Sequence, residues 1–77
     1  MLSIDTTTNN KWTALHLAAN NGHPETVKML LERGAAIDAT TDNKWIALHL
    51  AANNGHPETV KVLLEWGTVI DATTDSK

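Results

Sequence analysis

The chain has 77 residues and no cysteine, so one small domain is its ceiling, and disulfides, thiolate metal sites and thiol catalysis are excluded. Apolar residues make up 42% and charged residues 19%, the balance of a globular chain rather than a disordered one. Nine acids against six bases leave a net charge of −3, and Lys11, Lys28, Arg33, Lys44, Lys61 and Lys77 are scattered. That spread lacks the cationic footprint of a nucleic-acid binder.

The chain is largely a repeat. Residues 5–37 and 38–70 align without a gap at a spacing of 33. They differ at Thr6/Ala39, Asn9/Asp42, Thr13/Ile46, Met29/Val62, Arg33/Trp66, Ala35/Thr68 and Ala36/Val69, so 26 of 33 positions are identical. Residues 71–77 begin a third copy, matching Asp38 to Lys44 except at Ser76, and residues 1–4 hold the register of the end of an earlier one. The expected organisation is the end of a truncated repeat at 1–4, repeats at 5–37 and 38–70, and the start of a truncated repeat at 71–77.

Within one unit the pattern predicts two short helices, hence an all-α fold. Thr13 is the expected N-cap of the first, accepting the backbone N–H of His16 three residues on. Leu15, Ala18 and Ala19 fall at the i, i+3, i+4 spacing of one helix face, and the alanines permit close approach of a neighbour. Asn21-Gly22 supplies a stop, and Pro24 opens a second helix at the position where its missing N–H costs nothing. Glu25 complements the positive helix end, Val27, Leu30 and Leu31 repeat the apolar face, and Gly34 ends the helix. The Thr-, Asp- and Asn-rich stretch from Ala35 to Lys44 reads as an extended turn or hairpin arm.

This unit resembles the ankyrin repeat. The resemblance is carried by Thr13-Ala14-Leu15-His16-Leu17-Ala18-Ala19, Asn21-Gly22-His23, Val27-Lys28-Met29-Leu30-Leu31-Glu32 and Gly34-Ala35, with their equivalents 33 residues later. It covers essentially the whole chain and implies a solenoid of helix-turn-helix units joined by hairpin-like arms. Three departures carry expectations. Ala14 and Ala47 stand where the family has proline, a mild change. Ile46 replaces the capping threonine, at a cost of about 1 kcal/mol. Lys11 and Lys44 stand at a hairpin glycine position, so positive φ there costs each about 1–2 kcal/mol.

Catalytic readings fare poorly. His16 and His23, and their repeats His49 and His56, are separated by a helix break, and no acid near His16 completes a zinc-protease pattern. The resemblance makes all four structural, tying turns and neighbouring repeats together. The serines, Ser3 and Ser76, lie in the terminal stubs, and Glu25, Glu32, Glu58 and Glu65 recur with the period like solvated faces. No enzyme activity, metal or other cofactor is expected.

Trp12 and Trp45 hold equivalent positions just after the arms, and stacked units place equivalents roughly 8–10 Å apart. The resemblance puts hairpin tips and the exposed face of the first helix on a concave binding surface, here Asn9, Asn10, Trp12, Asn20 and Asn21, then Asp42, Asn43, Trp45, Asn53 and Asn54. Tryptophan concentrates binding energy, but each indole equally fits lying on its own hairpin and the adjacent lysine stem. The asparagines either bond a partner backbone or are polar helix ends facing water.

The expected function is a non-catalytic protein-protein interaction module. The alternative is a structural spacer or self-stacking segment excised from a longer array. The second unit, ending in Trp66, Val69 and Ile70 with Leu63 and Leu64 expected on its outward face, does not look like a polar cap. Near-identical ends therefore predict open head-to-tail stacking. No apolar run approaches the ~20 residues that span a bilayer, and the first residues form no secretory leader. An intracellular, cytoplasmic protein without membrane or nucleic-acid partners is the expectation.

Overall fold

The computed structural model describes residues 10–67. Four helices follow in order: α1, Ala14–Asn20; α2, Pro24–Glu32; α3, Ala47–Asn53; and α4, Pro57–Glu65. There is no strand among the described residues. Helices α1 and α2 pack as one pair and α3 and α4 as the other. Between pairs α1 meets α3 and α2 meets α4, giving two layers of stacked helices.

Each boundary has a local cause. Thr13 is extended at φ −94°, ψ 172°, and its hydroxyl accepts the His16 N–H at 3.3 Å, as expected of the cap. His16 completes a reciprocal box, its Nδ1 accepting the Thr13 N–H at 2.8 Å. At Ile46 the side-chain half is lost, because a hydrocarbon cannot accept, while the Ile46 N–H still reaches His49 Nδ1 at 2.9 Å. The buried Ile46 side chain offsets that loss, since full burial of an isoleucine stabilises by about 1.5–3 kcal/mol.

Helix α1 ends in paired 6→1 and 5→2 hydrogen bonds, His23 N–H to Ala18 O at 3.0 Å and Gly22 N–H to Ala19 O at 3.2 Å. That closure requires a left-handed residue between them, which Gly22 supplies at φ +70°. Pro24 then starts α2 at its first turn, with Glu25 beside the positive end.

The core is small and lies along the seam. Leu15, Ala18, Ala19, Val27 and Leu31 of the first pair meet Ala47, Ala51 and Leu63 of the second. Alanines at 18, 19, 47 and 51 allow α1 and α3 to approach closely. Leu63, expected on the outward face, is fully buried in this seam, and Leu64 faces out instead. Adjacent helical residues diverge by about 100°, so the two leucines cannot share a face. Thr59 is also buried there, and its hydroxyl has no hydrogen-bond partner, which costs on the order of 1–3 kcal/mol.

Candidate binding surface

The hairpin arm between the helix pairs is built on the segment Thr41 to Trp45. Thr41 O accepts the Lys44 N–H at 2.9 Å, closing a turn over Asp42 and Asn43. Lys44 is left-handed at φ +68°, and the Thr41 N–H then reaches Trp45 O at 2.9 Å. A tight turn followed by a left-handed residue is the three-residue hairpin with a one-residue bulge, where glycine is favoured. Lys11 has the same conformation at φ +66°, so the expected positive φ holds in both arms. The buried Thr41 hydroxyl also accepts the Trp45 N–H at 3.2 Å, which fixes where the indole emerges. The two arms are tied tip to tip by Asp42 N–H to Asn10 O at 3.1 Å.

Each indole meets the histidine four residues on. Trp12 lies 6.1 Å from the His16 ring at 57°, and Trp45 lies 5.9 Å from His49 at 72°. Trp12 is half-buried and Trp45 is 37% exposed. Between them runs a groove of about 270 Å³ lined by Trp12, Thr41, Asn43, Trp45, Leu50 and Asn53. A second, of about 560 Å³, continues past Trp45 along Lys44, His49, Ala52 and Asn53.

The ten candidate residues thus divide. Trp12, Asn43, Trp45 and Asn53 line grooves, while Asn10 and Asp42 are exposed at the arm tips. Asn20, Asn21 and Asn54 serve helix ends and the seam. Asn21 Nδ2 donates to Leu17 O at 3.1 Å, and Asn54 Nδ2 reaches Leu50 O at 3.1 Å and the Asn20 carboxamide oxygen at 2.5 Å. Asn9 lies outside the described residues. Thr41, Lys44, His49, Leu50 and Ala52 also line the grooves and are not among the ten. The repeated Thr-Thr before the turn and the tryptophan–histidine spacing of four were the available signals.

The histidines at the seam are structural, as the resemblance implies. Because a backbone N–H only donates, the Thr13 bond requires an unprotonated His16 Nδ1, and Nε2 then donates to Ala39 O at 2.8 Å. His56 Nε2 donates likewise to Asn20 O at 3.0 Å. Both bonds cross from one unit to the next. Burial pushes His16 below its ordinary value of 6.5, against the opposing pull of the Ala39 carbonyl. The unfolded chain therefore takes up the proton first as pH falls, and stability present above 6.5 is lost as pH drops toward the depressed folded value. Urea midpoints should decline between about pH 8 and about pH 5.5, with a smaller decline in His16→Gln. Equal slopes in the two chains would contradict this role. No group of three or more metal-ligating side chains occurs among the described residues.

Antiparallel helix pairs stacked in two layers on a 33-residue period, with hairpin arms projecting beside a groove, define a helical-repeat solenoid. The sequence profile described as ankyrin repeats (3 copies) matches residues 2–74, and the chain belongs to the ankyrin-repeat family. Repeats of this family generally mediate protein–protein contact, and the module is non-catalytic. Curated relatives include the NAD-capped RNA hydrolase NUDT12 of Homo sapiens, Macaca fascicularis and Pongo abelii. Each is 58% identical over 31 residues, which is 40% of this chain and 7% of the relative. The chain thus matches only a small part of those proteins. No helix among the described residues is long and apolar enough to cross a membrane.

Proposed function

We propose that the chain is a non-catalytic protein-binding module, intracellular, with repeats at 5–37 and 38–70, whose contact surface is the groove between Trp12 and Trp45. The supporting observation is the pairing of two partly exposed indoles on successive units around one groove, with amides at its rim. An apolar floor at Leu50 and the indoles accepts one apolar side chain of an extended partner segment. Asn43 and Asn53 offer a donor and an acceptor each to that segment's backbone. Asn10 and Asp42 extend the contact along the arm tips. Asn20, Asn21 and Asn54 contribute less, because Asn21 and Asn54 already donate to chain carbonyls and Asn20 accepts from Asn54.

The likeness to an RNA hydrolase covers 31 residues and brings no hydrolytic role to this chain. The second reading, a spacer or self-stacking segment, is favoured by the apolar faces that the two units leave uncovered, Leu17 on one and Leu64 on the other.

The groove reading is tested with a peptide selected from a displayed library against the folded chain. NMR titration should move the indole N–H signals of Trp12 and Trp45 and the amides of Asn43 and Asn53. Shifts confined to α2 and α4 would contradict it.

A further inference from the structure

The two units carry identical residues at most seam positions, Met29 standing where Val62 packs against the core, so a difference in exposure between identical equivalents reports whether a neighbour is present. On one side of each unit, Leu17 is 44% exposed whereas Leu50 is 6% exposed. Ala14 and Thr26 are exposed, whereas Ala47 and Thr59 are buried. On the opposite side the order reverses: Leu31 is 6% exposed and Leu64 42%, and Ala19 is buried while Ala52 is exposed. A Cβ placed on Gly22 would meet the His56 ring at 2.5 Å, while one on Gly55 would meet nothing within 4 Å. None of the seven sequence differences falls at any of these positions.

The first unit therefore presents uncovered the surface that the second unit uses in the seam, and the second unit presents uncovered the surface that receives it. We propose that these two faces pair between molecules, so that the 77-residue chain assembles head to tail with a second copy of itself. The occupant follows from continuity with the seam already formed, because the missing half of each face is the chain's own other face. Burying Leu17 and Leu64 together removes two large apolar side chains from water, as Leu50 and Leu31 are removed inside the chain.

The register fixes the polar contacts. Within the chain, His56 Nε2 and Asn54 Nδ2 bond Asn20. Shifted by 33 residues, His23 and Asn21 of the second copy meet Asn53, and the His23 ring of the second copy covers Gly55. The contact joins unlike faces and does not close, which makes linear stacks that grow with concentration.

Sedimentation velocity of the native chain from micromolar to millimolar concentration should show mass rising above 8.4 kDa. Leu17→Glu blocks one face and Leu64→Glu the other. Both positions are exposed in the single chain, so the helical circular dichroism should persist. Each variant alone should remain at 8.4 kDa, and an equimolar mixture should give a dimer of twice that mass that grows no further. A native chain that stays at 8.4 kDa throughout would overturn the proposal, as would variants that still associate alone or a mixture that stays monomeric.

Discussion

Gly22→Ala is expected to lower the free energy of unfolding by about 2–3 kcal/mol, and Gly55→Ala by only about 1–2 kcal/mol. Both glycines have φ +70° and both close the first helix of their unit, so the left-handed cost is common to them. The difference lies in what surrounds the added methyl. At Gly22 it meets the ring of His56, whose Nε2 is held by Asn20 O at 3.0 Å. The ring cannot retreat without stretching that bond, which is worth roughly 1 kcal/mol. Urea unfolding of the two variants, at a concentration low enough to keep the chain monomeric, measures the difference directly. Equal losses would mean that the His56 contact at the seam does not constrain the fold.

Lys11→Gly combined with Lys44→Gly is expected to stabilise the chain by roughly 2 kcal/mol. Left-handed backbone costs a non-glycine residue about 1–2 kcal/mol, and glycine gives back about 0.4–1 kcal/mol through the freer unfolded chain. The net gain per arm is then about 1 kcal/mol. The lysine side chains are both exposed, so their removal leaves no cavity. A denaturation midpoint that stays the same or falls would show that these arms hold left-handed backbone without strain. The substitutions also leave Trp12 and Trp45 in place, so they separate arm stability from groove chemistry.

Much of this was legible in the residues because each local signal agreed with the next. Thr13 and His16 share a capping box, Gly22 and Pro24 punctuate the helices, and the alanines at 18 and 19 mark the face that a second helix approaches. The period of 33 then placed the units side by side. Orientation about each helix was harder. Leu63 and Leu64 are adjacent in an apolar run, and only packing decides which one faces the neighbour. The asparagines were harder still. Asn20 and Asn53 are equivalent, yet Asn20 accepts from Asn54 across the seam while Asn53 lines a groove. Sequence identity cannot encode that difference; position in the stack does. Each indole meets its histidine because the arm turn aims residues 12 and 45 along the helix that follows.

The central claim is that the Trp12–Trp45 groove is a binding surface and not part of the scaffold. Affinity of a groove-selected peptide for the Trp12→Ala/Trp45→Ala chain, measured beside its far-ultraviolet circular dichroism, tests that claim most directly. Loss of two tryptophan anchors at about 2 kcal/mol each predicts a fall in affinity of nearly a thousandfold, on the order of 4 kcal/mol, with the helical signal retained. Unchanged affinity, or collapse of the helical signal, would contradict it.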